Sequence, residues 1–599
     1  MPADTASLNL RQIVLRDRAA SEWLVFSQPV EVLVARESGD VASVIESAER
    51  RVARNGLYAA GFLSYEASPA FDPAYVTRPA GTLPLAAFGL FHDPVRLDKL
   101  PSPGLYAGEL PVWEMTVERD RYRANVAGIR RQIARGNTYQ VNYTVRQAAK
   151  AVDDPWRLFH AIAADAPYAA YIDAADFAIV SASPELFFEV SGERIVCRPM
   201  KGTAPRGMTL SEDRLIRKSL DDSAKNRAEN VMITDMVRND VGRIAVPGTV
   251  VASSLFETEK YRTVWQMTST VSAETRAGVA DILCALFPSA SITGAPKVAS
   301  MRLIAQLEDA PRGIYTGCIG YLGPGREARF SVAIRTAAID KRCRTAVYGV
   351  GGGIVWDSNA DDEYQECLDK AGVLASTARK SGFQLLETLL WTRQEGCYLL
   401  REHLQRLGDS ACYFDFDCDL SRVEQELLAV TAKLRGGPYR VRLLLRTDGS
   451  STIETHELNS EGGAKPLRIC LARNPVDPRN PFLYHKTTQR EVYERALSGS
   501  GTGTGTGNCD DVLLWNTRGE ITETSIANVV ARVEGRLVTP PVECGLLGGT
   551  LRQNLLAQGR IAERRILLTE LPEIDELFLI NSVRGWRPAV IAEKSKAVR

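Results

Sequence analysis

Apolar residues recur at steps of three and four over residues 117–136, at Tyr122, Val126, Ile129 and Ile133, which predicts a helix stopped by Gly136. YQVNYTVRQ (139–147) then alternates apolar and polar positions as a strand does. A second helix is expected from Asp154-Pro155, because a first helical turn tolerates proline's missing N–H. FAIVSASPELFFEV (177–190) reads as strand, turn, strand, with Glu185 in the turn. Residues 213–242 read as one long helix whose apolar stripe includes Leu215, Ile216, Leu220, Val231, Met232, Met236 and Val237. FSVAIRTAAI (330–339) reads as one buried strand, and GVGGGIV (349–355) as two strand-like runs flanking Gly351, Gly352 and Gly353. Upstream, residues 1–112 alternate short apolar runs with Pro and Gly turns, which predicts strands with intervening helices.

Chemistry enters where polar groups interrupt this pattern. Arg335 sits inside a buried-looking run, and a charge there needs an anion, from an internal carboxylate or from a ligand. Three successive glycines let a backbone approach and cradle an anion. Glu363 and Glu366 stand at i and i+3 in DDEYQECLDKA, hence on one helix face. Such a pair suits Mg²⁺ or simply opens a solvated acidic helix. Lys201, in RPMKGTAPR, is either a surface lysine or a nucleophile whose pKa is lowered by its surroundings.

At 599 residues two or more domains are expected. A formal net charge of +0 gives no electrostatic footprint for nucleic acid. No apolar run reaches the ~18 residues of a membrane helix, and the N-terminus lacks a signal core, so the cytoplasm is the expected compartment. The 11 cysteines are scattered without a C-x-x-C pair, which favours reduced thiols, and five unclustered histidines argue against a His-based metal centre.

SASPELFF, PMKGTAPR, ENVMITDMVRNDVGR, SITGAPK, YGVGGGIVWDS and DDEYQECLDKA follow one another in an order that resembles the chorismate-utilising enzymes, the family of the anthranilate synthase and aminodeoxychorismate synthase large subunits. The resemblance implies a β-sandwich with flanking helices, within an overall α+β and α/β multidomain chain. It implies that Glu185 is a general acid or base, that Glu229, Glu363 and Glu366 hold Mg²⁺, and that chorismate is bound by Arg335, Gly351, Gly352, Gly353, Thr293 and Gly294. In that family anthranilate synthases carry Ala where this chain has Lys201, and aminodeoxychorismate synthases carry Lys. One departure is Gln266, where anthranilate synthases place His. Glutamine cannot exchange a proton near neutral pH as histidine can.

A polar seam at 376–383 precedes a second resemblance. LLREHLQRL, LYHKTTQREVY, LLWNTRGEITETSIANVV and LLGGTLRQ resemble the class IV pyridoxal-phosphate enzymes, which include D-amino acid and branched-chain aminotransferases and aminodeoxychorismate lyase. That likeness implies a two-lobed domain with Lys486 as the Schiff-base lysine, Glu523 as the acid facing the pyridinium nitrogen, and Arg406 and Thr550 at the phosphate. The usual opening strand and Gly-Asp-Gly turn before Glu387-Thr388 are missing, so the smaller lobe is completed by the first half or by a second chain, and a homodimer is the form considered. SGSGTGTGTGN (498–508) has no G-x-G-x-x-G and reads as a flexible insertion.

The expected layout is 1–112 as the N-terminal part of the synthase domain, 113–378 as its catalytic part, 379–383 as linker and 384–599 as the pyridoxal-phosphate domain. Together the two resemblances imply amination of chorismate at C4 and then loss of pyruvate to give 4-aminobenzoate, with pyridoxal phosphate and Mg²⁺ as cofactors. No glutamine-hydrolysing nucleophile is evident, so a separate glutamine amidotransferase is the implied ammonia source. The competing readings are an anthranilate-type or isochorismate-type first half, an aminotransferase second half, or a second half that is only a scaffold.

Overall fold

The computed structural model describes residues 8–101, 111–163, 166–261, 264–375, 383–458, 465–499 and 509–592. The chain forms two compact units, Met1–Arg206 with Arg217–Arg379, and Gly207–Ile216 with Lys380–Arg599. The second unit thus takes in ten residues that a simple cut near 378 assigns to the first. Among the described residues no helix is long and apolar enough to cross a membrane. The seam at 376–382 and residues 500–508 of the Gly-Thr-rich stretch lie outside the described residues.

The first unit is built on two ten-stranded sheets, antiparallel throughout. Leu15, Phe26, Ile172 and Ile179 of one sheet meet Phe62, Phe91 and Ile319 of the other in a single buried cluster, so the core lies between the sheets. Helices cover the outer faces: Ser38–Asn55 and Val279–Leu286 on one, Arg119–Ala134, Pro155–Ile162 and Ala360–Ala375 on the other. Asp154 caps the helix Pro155–Ile162 by accepting from Arg157 N.

Three sequence expectations are corrected here. Residues 213–242 do not form one helix; Leu210–Asp222 ends and Ala224–Gly242 begins at Ser223, whose hydroxyl accepts from Asn226 N. A side-chain cap offers the backbone a competing partner and so starts a new helix. The supposed apolar stripe is accordingly broken, with Leu215 69% exposed. FSVAIRTAAI is not one strand either. Glu327–Val332 belongs to one sheet and Thr336–Asp340 to the other, and Arg335 lies at the crossing with φ +50. The three glycines do not separate two strands but lie inside one, Thr345–Ile354.

The second unit has a four-stranded antiparallel sheet (Leu385–Thr392, Gly396–Cys397, Tyr439–Leu445 and Ser451–Glu457) and an eight-stranded mixed sheet. Each has its own apolar cluster, around Leu443 and Leu445 in the smaller and around Val529 and Leu579 in the larger. Cys470 and Cys509 pair as a disulfide, against the expectation of reduced thiols throughout. The parallel pairing of Leu467–Leu471 with Asp511–Trp515 brings the two residues together, a juxtaposition that a separation of 39 residues conceals.

Candidate active sites

In the first unit a cavity of about 190 Å³ is lined by Glu185, Lys201, Glu229, Gln266, Arg335, Gly351 to Gly353, Glu363 and Glu366. Lys201 projects from the strand Met200–Pro205 and is half-buried. Burial, reinforced by the ammonium of Lys370, lowers its pKa and favours the neutral amine. Glu185, in the turn between Phe177–Ser183 and Leu186–Ser191, is buried, which raises its pKa to about 7. Ser291 Oγ donates to Glu185 Oε1 at 2.6 Å and so holds the carboxyl in place.

The glycine strand explains itself at this cavity. Thr345 to Tyr348 pair on both sides, whereas Gly349 to Ile354 pair only with Gln140–Lys150, leaving one edge open. A Cβ on Gly353 would overlap Gln140 Nε2 and lie 2.9 Å from Lys201 Nζ; one on Gly352 would lie 2.9 Å from Glu363 Oε2. Side chains there would fill the space between the lysine and the glutamates.

Arg335 is half-buried, and the desolvation of its guanidinium lowers its pKa. Among the described residues no carboxylate pairs with it, so the internal-partner alternative has no candidate. The Tyr348 hydroxyl, in the same lining, is buried without a hydrogen-bond partner in the structure. Two donors without acceptors in one cavity call for an anionic ligand.

All three metal candidates line the cavity, and two of them are engaged within the protein. Ser358 Oγ donates to Glu363 at 2.7 Å, and burial raises the Glu363 pKa. Burial pushes Glu366 the same way, but Lys370, 2.7 Å away, outweighs it and holds that carboxyl below its ordinary value. Among the described residues no three metal-ligating side chains form a group able to hold an ion. The donor chemistry is nonetheless all carboxylate oxygen, the kind a hard cation such as Mg²⁺ prefers.

Thr293 and Gly294 are not in the lining, contrary to expectation. Thr293 is fully buried and its hydroxyl donates to the Ser289 carbonyl. Gly294 has φ +138 and packs against the Gln140 carbonyl too tightly for any Cβ. Their loop is braced rather than exposed to ligand. Ser291, Tyr348 and Lys370 take part instead. Ser291 lies two residues earlier in the same motif, and Lys370 follows Glu366 at i+4, a helical spacing that could have flagged it.

In the second unit a cavity of about 450 Å³ is lined by all four expected residues, Arg406, Lys486, Glu523 and Thr550. Burial, then Arg406, lowers Lys486 to about 8, and among the described residues no hydrogen bond or ion pair holds its amine. Glu523 is raised by burial to about 7; Tyr493 Oη donates to it at 2.8 Å, Asn528 Nδ2 at 3.2 Å and Leu547 N at 3.2 Å. Arg406 grips Glu387 through two hydrogen bonds, 2.9 and 2.6 Å. Burial alone would raise Glu387, yet Arg406 and His403 hold it at about 2. Thr550 opens the helix Thr550–Ala557, and its hydroxyl lies 3.2 Å from His403 Nε2. An uncommitted amine, a well-oriented acid and a helix start in one cavity fit pyridoxal phosphate.

Comparison with known proteins follows the same division. Residues 106–376 match the chorismate binding enzyme family and residues 384–591 the class IV amino-transferase family. Aminodeoxychorismate synthase component 1 of Salmonella typhimurium is 40% identical over 267 residues, 43% of this chain and 57% of that protein. A putative amino-acid aminotransferase from Mesorhizobium loti is 36% identical and covers 35% of this chain and 100% of its own, with a TM-score of 0.33. A putative 2,3-dihydroxybenzoate-specific isochorismate synthase from Bacillus anthracis is 16% identical, with a TM-score of 0.51 over 61% of this chain and 95% of its own. The matches span 36%, 44% and 57% of the length of the first curated relatives.

Proposed function

We propose, for a chain whose residues 106–376 match the chorismate binding enzymes and whose residues 384–591 match the class IV amino-transferases, a two-step synthesis of 4-aminobenzoate from chorismate. In the first cavity the neutral amine of Lys201 adds to C2 of the ring as the double bond shifts and the C4 hydroxyl leaves. Glu185 gives that hydroxyl its proton, so water departs. Ammonia then attacks C4, the double bond returns, and Lys201 is expelled, giving 4-amino-4-deoxychorismate. Arg335 and Tyr348 take a substrate carboxylate, and the open glycine edge admits the ring. Glu229, Glu363 and Glu366 are the groups that would hold Mg²⁺, which there would neutralise the other carboxylate. The relative from S. typhimurium is named as one component of its synthase, which supports a separate glutamine amidotransferase as the ammonia source.

In the second cavity Arg406 and Thr550 would hold the phosphate of pyridoxal phosphate, and Glu523 the proton on its ring nitrogen. Bound there, the cofactor supplies an electron sink. Lys486, returned to its free amine, removes the proton from C4 of the aminated ring. Pyruvate leaves from C3, and the ring becomes aromatic as 4-aminobenzoate. The reading rests on one observation above the rest: a Lys201 whose pKa is lowered by desolvation and a Glu185 poised near pH 7 share a cavity with Arg335, which among the described residues has no carboxylate partner.

The test is chromatography and mass spectrometry of the full chain given chorismate, an ammonium salt, Mg²⁺ and pyridoxal phosphate. The expected products are 4-aminobenzoate and pyruvate. Accumulation of 4-amino-4-deoxychorismate would defeat the second step alone, and anthranilate would defeat the first. An aminotransferase second half, which the class IV amino-transferase match at residues 384–591 also accommodates, predicts instead amino-group exchange between an amino acid and 2-oxoglutarate.

A further inference from the structure

The second cavity carries more positive charge than its cofactor accounts for. Among the described residues Glu523 is the sole acid in a lining that is otherwise charged only by lysine and arginine. Three of the arginines are neutralised from outside the cavity: Arg406 by Glu387, Arg442 by Glu454 and Arg552 by Glu563. Lys486 has Glu523 in its field. Arg440, Arg490 and Arg584 remain, and among the described residues none of them has a carboxylate partner. Arg490 donates to the Ser525 carbonyl and lies 4.6 Å over the Tyr493 ring, contacts that fix its place, and it shares the field of Glu523 with Lys486.

The fold aims this charge. Along Tyr439–Leu445 the residues Val441, Leu443 and Leu445 enter the apolar core, so Arg440 and Arg442 emerge on the opposite face. Arg442 pairs across the sheet with Thr388, and Leu386 two residues away also lines the cavity. Arg584 comes from the turn between Glu576–Asn581 and Gly585–Ile591. A strand and a turn thus deliver two exposed arginines to the cavity that holds Lys486.

We propose that this pocket selects a substrate bearing two carboxylates, seated by Arg440, Arg490 and Arg584. The phosphate of a bound cofactor is a separate anion, assigned above to Arg406 and Thr550. A simple apolar amino acid offers one carboxylate; the product proposed for the first cavity offers two. The inference rests on residues 384–591 being a working amine-handling site and gives that site its substrate class.

Two probes isolate the effect: 3-(carboxymethoxy)benzoate, a dianion, and 3-methoxybenzoate, its monoanionic counterpart. Each is titrated into the full chain loaded with pyridoxal phosphate, with the cofactor's absorption as the readout of the second cavity. The dianion is expected to bind at least about tenfold more tightly, the scale of a charge-assisted contact. In the chain carrying both Arg440→Gln and Arg584→Gln, that preference should fall to about twofold or less, with monoanion binding little changed. Both positions are exposed, so folding is not at stake. If the chain retains no cofactor, calorimetry of the same probes is compared between the chain and its double variant, so that binding in the first cavity cancels. Equal binding of the two probes, or a preference that survives the double substitution, overturns the proposal. A clear dianion preference without 4-aminobenzoate formation keeps the proposal and defeats the lyase reading; 4-aminobenzoate formation without the preference does the reverse.

Discussion

Lys370 places its ammonium 2.7 Å from Glu366 Oε1 and 2.8 Å from the Gly351 carbonyl oxygen. One side chain thereby ties a metal-candidate carboxylate to the glycine strand, and its charge also helps to lower the pKa of Lys201. Replacing it with Met should return the Lys201 pKa toward its ordinary value. The first step, followed as chorismate consumed, should then need a higher pH for the same rate, because less Lys201 is neutral near pH 7.

Glu185 must be protonated to act as an acid, and its pKa lies at about 7. The kcat/KM of the first step is therefore expected to fall as pH rises through about 7. Glu185→Gln should remove that alkaline limb and lower the rate by roughly 10²–10⁴-fold. A limb that persists in the variant would assign it to another group.

The same burial has a cost in stability. Glu185 titrates near 4.5 when exposed and about 7 when folded. A carboxyl whose folded pKa is raised contributes stability while protonated and loses it as pH rises between those values. The loss is complete above about 7 and amounts to at most roughly 3 kcal/mol. The Tm gain of Glu185→Gln over the parent should be larger at pH 8 than at pH 5.

Glu387 runs the other way, since Arg406 and His403 overcome burial and hold it at about 2. Its contribution is present above about 4.5 and lost as pH falls toward 2. Glu387→Ala leaves Arg406 without its anion and should destabilise the second unit by about 3–5 kcal/mol, read by denaturant titration at neutral pH.

Arg335→Gln removes a half-buried cation that has no carboxylate partner among the described residues. The KM for chorismate should rise by roughly 10–100-fold, the scale of a charge-assisted hydrogen bond, while thermal stability holds or improves. A loss of stability with KM unchanged would identify a structural ion pair instead.

Lys486 titrates at about 8, so the rate of pyridoxal-phosphate capture, followed by absorption, should climb with pH and level off above that value. Lys486→Ala should abolish the lasting absorption change, and in that variant 4-amino-4-deoxychorismate should accumulate.

Much of both candidate sites could be read from short motifs, because they place chemistry-bearing residues next to distinctive backbone: Glu185 in a strand turn, Lys201 before a glycine, Lys486 and Glu523 in recognisable runs. Length pointed to two or more domains, and the resemblance carried by contiguous motifs pointed to a β-sandwich first half and to most of the residues that line the two cavities. Tertiary structure decided what local pattern could not. Arg335 looked like part of one strand because its neighbours are apolar on both sides, yet the chain changes sheets there, and only long-range pairing sets that crossing. Thr293 and Gly294 sit in a genuine site motif, but packing against Gln140 and Ser289 turns them away from the cavity and leaves Ser291 to meet Glu185. The protonation behaviour of Lys201, Glu185 and Lys486 was likewise invisible in the sequence, because a pKa depends on burial and on charges brought near from distant positions.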